Sequence, residues 1–267
     1  MPLTRVARKA GQARIWLQSV LGPLDWPSAL LLSVFRTRPP RWFSHIWIRP
    51  RLLKGLWLRI DPTRMSHFTI YEELLIENAY DLDLLRFTPD AVIDCGAFEG
   101  YFSLLASARY GHVPIVAFEP NAENFKGLVA NIGGNRLSIE PRASAVSIRD
   151  GVAQFAGGGC GGHLTGAGGA ESVGVPVVDL RRAIAGLNAT HLLLKIDVEG
   201  EEQVILPEII GSLPRICAIF FEWHHGADSF RRVAATLEAS GFSVAERRRV
   251  VQPESGEVFI DAFAQRA

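Results

Sequence analysis

From residue 91 onward, short apolar runs alternate with stretches of helical periodicity. "AVIDC" (91–95) reads as a buried strand and "GYFSLLASARY" (100–110) as the helix that follows it. "PIVAFE" (114–119) predicts a second strand, and "NAENFKGLVANI" (121–132) a helix capped by Asn121. "RLSIEP" and "ASAVSI" read as extended chain. "HLLLKID" (191–197) and "ICAIFFEW" (216–223) are further buried strands. The helices after them are "EEQVILPEII" (201–210), with a break expected at Pro207, and "SFRRVAATLEAS" (229–240), closed by Gly241. "FSVAE" and "VFIDAFA" end the chain as a predicted antiparallel hairpin. Apolar strands separated by helices predict an α/β fold, a doubly wound, mostly parallel sheet covered on both faces.

Two segments depart from this rhythm. "GGGCGGHLTGAGG" (157–169) holds eight glycines in thirteen residues, a density that packs no core and predicts a hairpin loop or a flap over substrate. His163 within it is expected to be solvated. Before "FTIYEELLIENAYDLDLL", which has helical spacing, residues 1–60 carry eleven basic residues against one acidic residue, Asp25. The remainder carries 17 basic and 27 acidic residues, so a neutral total conceals a two-toned chain. Trp16, Trp26, Trp42, Trp47 and Trp57 also fall in the basic segment. The sequence therefore divides into a basic, Trp-rich segment 1–60 and a domain 61–267. The stretch Ile15–Phe35 is interrupted by Gln18, Asp25 and two prolines, which argues against a membrane span. Packing within the chain, or peripheral contact of residues 1–60 with a membrane or partner enzyme, remain open, and nucleic-acid binding is not expected. Three scattered cysteines, Cys95, Cys160 and Cys217, fit a reducing, cytoplasmic setting.

In a doubly wound sheet, ligands bind beyond the carboxyl ends of the strands. Acids stand at four of them: Asp94 with Glu99, then Glu119, then Asp197 with Glu199, then Glu222 beside His224 and His225. "DCGAFEG" lacks the middle glycine of a dinucleotide loop, and its two carboxylates repel a pyrophosphate. They suit a cationic ligand instead, and Glu119 at the end of the next strand suits a ribose diol.

"VIDCGAFEGYFSLLA", "VAFEPNAENF", "LLKIDVEGEEQVI" and "FFEWH" together resemble the FkbM family of S-adenosylmethionine-dependent methyltransferases, from about Leu58 onward. The resemblance implies a class I, Rossmann-like fold with a seven-stranded sheet, and O-methylation of a sugar, glycan or natural-product hydroxyl. Members commonly carry "DVGANIG" where this chain has "DCGAFEG", so Phe98 and Glu99 replace a small polar pair. On this reading Asp94, Gly96, Ala97, Glu99 and Gly100 line the methionine end of the cofactor. Glu119 binds the ribose, Asn121 lies near the adenosine and Ser144 near the adenine.

For the transfer itself, Asp197 is expected to be the central group, kept ionised by Lys195, with Glu222 and His224 shaping the hydroxyl pocket. Histidine has the more suitable unperturbed pKa for a base. A structural Lys195 ion pair is one alternative; a divalent metal held by Asp197, Glu222 and His224 is another, and no metal is assigned. A nucleotide-dependent oxidoreductase and a non-catalytic binding protein stand as rival functions.

Overall fold

The computed structural model describes residues 23–37, 44–158, 161–165, 172–210, 214–251 and 256–266. Cys160, Trp16, Trp42 and the Ile15–Phe35 stretch before residue 23 lie outside them. Residues 1–78 and 79–267 form two compact units. The boundary thus falls later than the change of charge at residue 60, and the helix of "FTIYEELL" belongs to the first unit.

The first unit contains helix α1 (Trp26–Thr37), the antiparallel strands β1 (Ile46–Ile48) and β2 (Leu58–Ile60), and helix α2 (Met65–Leu75). Asp25 accepts the Ser28 N–H at the start of α1 (3.0 Å), and Asp61 accepts both the N–H and hydroxyl of Thr63 (2.9 and 2.6 Å). Such short-range side-chain caps replace backbone partners that helix and turn geometry leaves unmet.

The second unit runs β3 (Ala91–Cys95), α3 (Tyr101–Tyr110), β4 (Ile115–Phe118), α4 (Ala122–Asn135) and β5 (Ile139–Arg142). After β6 (Ala145–Ser147), β7 (Gly151–Ala156), β8 (His163–Thr165), β9 (Val173–Asp179) and α5 (Leu180–Ala185), it resumes with β10 (Leu192–Ile196), α6 (Glu202–Ile210) and β11 (Ile216–Trp223). It closes with α7 (Gly226–Ala239), β12 (Phe242–Val251) and β13 (Val258–Arg266). The main sheet has seven strands in the order β12-β13-β11-β10-β3-β4-β5. β13 is antiparallel to both neighbours, as the terminal hairpin predicts, while β11, β10, β3, β4 and β5 pair in parallel.

Each strand of the centre is buried on both faces because helices cover both, which is why "AVIDC", "IVAF" and "LLLKI" read as unbroken runs. The core joins Ile93, Leu194, Ile196, Ile219 and Phe221 of the sheet to Ile205, Ile209 and Leu237 of the helices. α6 continues through Pro207 rather than breaking there. Ile205, Leu206, Ile209 and Ile210 are all fully buried around the proline, and their burial holds the last turn in place.

The described residues of the glycine-rich stretch, 157–158 and 161–165, make the expected hairpin and add a strand to it. That strand, β8, is paired antiparallel with β7 in a second sheet of order β6-β9-β7-β8. Glycine there permits close approach: a Cβ on Gly162 would overlap the Phe155 ring that its backbone crosses. Phe155, Ala145, Val175 and Val177 give this small sheet its own core. His163 is exposed, as expected.

Glu99 is buried, with its carboxyl laid over Gly127 of α4, where a Cβ would overlap Cγ, Cδ and Oε2 of the glutamate. The Asn131 amide also holds the Glu99 carbonyl at 2.8 Å. Gly127→Ala is expected to destabilise the protein by about 1–3 kcal/mol through overpacking. Combining it with Glu99→Ala, which vacates the space, restores most of that loss; thermal unfolding of the two single variants and the double variant measures both effects.

Candidate active site

β3 and β10 are neighbours at the point where the strand order reverses, since the chain leaves β3 toward β4 and β5 but leaves β10 toward β11. Their register sets Asp94 beside Lys195. The site grows from that pair.

Lys195 is buried, and its ammonium lies 3.5 Å from Asp94 Oδ1 and 3.3 Å from Asp197 Oδ2. It donates to the Gly96 carbonyl at 2.7 Å and sits 5.8 Å from the centre of the Tyr80 ring. Burial disfavours its charge, but Asp197 and Asp94 outweigh burial and hold the ammonium above the ordinary lysine range. Asp94 is also fully buried; burial pushes its carboxyl up despite Lys195 and the Ser103 hydroxyl, which donates at 2.7 Å. Asp197 goes the other way: burial raises it, but Lys195, His224 and the Tyr80 hydroxyl (3.3 Å) bring it below the usual carboxylate range. Lys195 therefore does keep Asp197 ionised.

The glycine loop is tied to both neighbouring strands. Gly96 and Ala97 donate their N–H groups to the Phe118 carbonyl (3.0 and 2.8 Å), and Asp197 donates its own to Cys95 (3.1 Å). Gly96 has φ +77°, and any Cβ there would overlap the Asp197 carbonyl oxygen, so the position needs glycine on two grounds. Gly100, at φ +82°, begins α3 with Leu128 where a Cβ would go. Phe98 between them also has positive φ, at +52°.

Glu119 lies at the end of β4 and is buried. Its two oxygens accept the backbone N–H groups of Phe98 and Asn121, both at 2.8 Å, which fixes the carboxyl across the loop. Burial pushes its pKa to about 7 in spite of those donors. Asn121 uses its side-chain oxygen to cap α4, accepting from Glu123 and Asn124 (3.0 and 3.1 Å). Ser144 is buried just after β5. The Ser144 hydroxyl and Asp94 Oδ1 are buried polar atoms without a hydrogen-bond partner in the protein. A buried hydroxyl left over after β5, with acids at the ends of β3 and β4, fits an adenosine with a cationic amino-acid tail, whereas the acids repel a pyrophosphate. Glu99 is the exception among the loop residues, since its side chain is committed to the α4 face.

Beyond β10 and β11 lies a second cluster. His224 sets Nδ1 3.2 Å from Glu202 Oε1 and Nε2 3.3 Å from Glu199 Oε2 and 4.0 Å from Glu222 Oε2. Glu202 is fully buried and accepts the N–H groups of Val198 and Gly200, both at 2.9 Å. His225 faces the Gly200 carbonyl at 2.8 Å. Burial disfavours the imidazolium, but the Glu202 hydrogen bond and the surrounding carboxylates raise His224 to about 10. Glu199, at φ +54°, is raised to about 7 by burial and by the Asp197 charge. The proton of this pair rests on His224, so the group with a base-like pKa is the carboxylate and not the imidazole. Asp197, Glu199 and His224 each offer an atom within 4.8 Å of the other two, so the set most able to hold a metal includes Glu199 where the sequence suggested Glu222.

Glu202 and Tyr80 were not singled out by the sequence reading. An acid in the first turn of a helix is a recognisable signal for Glu202. Tyr80 gives none, since its partner Asp197 is 117 residues away.

A family model described as the methyltransferase FkbM domain matches residues 94–244, which contain every site residue above except Tyr80. The "AMB antimetabolite synthetase AmbE" of Pseudomonas aeruginosa is 38% identical over 72 residues, covering 27% of this chain and 3% of that protein. The chain thus spans only a small fraction of that curated relative. Among solved structures, a precorrin-6y C5,15-methyltransferase from Geobacter metallireducens is 17% identical with a TM-score of 0.42, covering 71% of this chain and 86% of its own. M. jannaschii TYW2, in complex with AdoMet, is 13% identical with a TM-score of 0.45, covering 84% and 87%. The family match is incompatible with the oxidoreductase alternative. The chain belongs to the FkbM family of methyltransferases, whose methyl donor is S-adenosylmethionine.

Proposed function

We propose that the protein methylates a hydroxyl group, on a saccharide, glycan or natural-product intermediate. The observation that carries this reading is the clustering of Glu199, Asp197 and His224, with Glu199 3.3 Å from the imidazole and raised to about 7 by burial and the Asp197 charge. A neutral hydroxyl is a poor nucleophile until its proton is taken, so an O-methyltransferase gains from such a base. When bound, S-adenosylmethionine supplies an electrophilic methyl on a sulfonium. Asp94, the 96–100 loop backbone, Glu119 and Ser144 are the groups that would hold it. Asp197 accepts from and orients the acceptor hydroxyl, and Glu199 takes its proton. His224 stays charged, steadies both carboxylates and is itself held by Glu202.

A cavity of about 360 Å³ beside the second sheet supports a polyhydroxylated acceptor. Ser147, Arg149, Thr165 and Glu201 line it with polar groups, and Leu164 and Val152 with apolar ones. The Ser147 hydroxyl donates to Glu201 at 2.7 Å, tying this wall to the loop that carries Glu199.

Transfer of a labelled methyl group to a panel of hydroxyl acceptors, with the product's new bond assigned by NMR, tests the reaction; methylation confined to nitrogen or carbon would refute it. Glu199→Gln is expected to lower kcat by about 10²–10⁴-fold with binding of S-adenosylhomocysteine unchanged. In the wild type, kcat should rise with pH through about 7 as Glu199 loses its proton, and hold until His224 loses its own near 10. Glu119→Ala should instead weaken S-adenosylhomocysteine binding by roughly tenfold or more, the worth of a charge-assisted hydrogen bond, as read by calorimetry.

A further inference from the structure

The first unit carries exposed apolar side chains that methyl transfer does not use. On α1, Trp26, Leu30 and Val34 are spaced four apart and so share one face, and they are 76%, 58% and 49% exposed. The residues between them, Ser28, Ala29 and Leu32, are buried, so the helix is anchored by its other side. Three more exposed apolar residues stand beside positive charge. Leu52 lies between the exposed Arg51 and Lys54. Trp47 pairs across the β1–β2 ladder with Arg59, and the Arg49 guanidinium sits 5.0 Å from the Trp57 ring.

We propose that this surface docks the protein on an anionic lipid bilayer. Indole rings with arginine beside them suit the headgroup boundary, and the aliphatic face of α1 suits the acyl region beneath it. Among the described residues Arg49, Arg51, Lys54 and Arg59 supply the attraction to anionic headgroups, with Asp25 the one acid before Asp61. The same charge tells against a second copy of the chain, which would bring like charge to the contact. It tells less against nucleic acid, but Leu30 and Val34 offer a base nothing to stack on. The contact is peripheral: α1 has 12 residues and a length of about 18 Å, short of a bilayer's hydrocarbon core. Among the described residues no helix is long and apolar enough to cross a membrane.

The test is flotation of the 267-residue chain with phosphatidylcholine vesicles, with and without phosphatidylglycerol. Co-flotation is expected with the anionic vesicles only, weakening as salt rises. The exposed-site variant Trp26→Ser/Leu30→Ser/Val34→Ser should partition about 10- to 100-fold less well. Binding of S-adenosylhomocysteine by the variant, unchanged, shows that it is folded. Equal partition of variant and wild type overturns the proposal. So does light scattering that shows a wild-type dimer made monomeric by the substitutions without vesicle binding, or vesicle-indifferent binding to a nucleic-acid oligomer.

Discussion

A lysine ammonium buried between the ends of β3 and β10 is the constraint on which the site depends. Lys195 reaches Asp94 from β3 and Asp197 beyond β10, and fastens the glycine loop through the Gly96 carbonyl. Removing its charge leaves the fully buried Asp94 without its cation, the costly side of any buried ion pair. What the arrangement contributes is position more than net stability. One cation joins Asp94 and the glycine loop after β3 to Asp197 after β10.

Around this cation the acids are sorted by environment into unlike roles. Asp197 is held low by the ammonium, Glu202 is occupied by two backbone donors and an imidazole, and Glu199 is left with a proton affinity near neutrality. Glu222 stands further from the ring, at 4.0 Å. A sequence shows only that these are carboxylates. Which one is ionised, which one is structural and which one can exchange a proton follow from burial and from neighbours brought in by folding.

The main sheet was legible because its strands are buried on both faces and its helices carry ordinary caps. Asn121 and Gly241 mark their helix ends in the sequence and in three dimensions alike. The second sheet was not, because β6 and β8 are three residues each and β8 lies among glycines, too short for any period to show. Within the site, Asp94, Glu119, Lys195 and Asp197 could be read from strand ends, where charge is out of place in an apolar run. Glu99 could not. A carboxyl in a glycine loop suggests a ligand, and only the coincidence with Gly127 on a helix 28 residues later shows that it fills a notch in the protein instead.

The small sheet occupies the crossover between β5 and β10, the one connection that must return across the molecule to the other half of the main sheet. Its strands pair among themselves and bury a core of their own, while Val146 of β6 packs into the main core with Ile93 and Ile196. Changes confined to β7 and β8, none of whose described residues enters the main core, can therefore reshape the cavity they line while β3 and β10 keep their register.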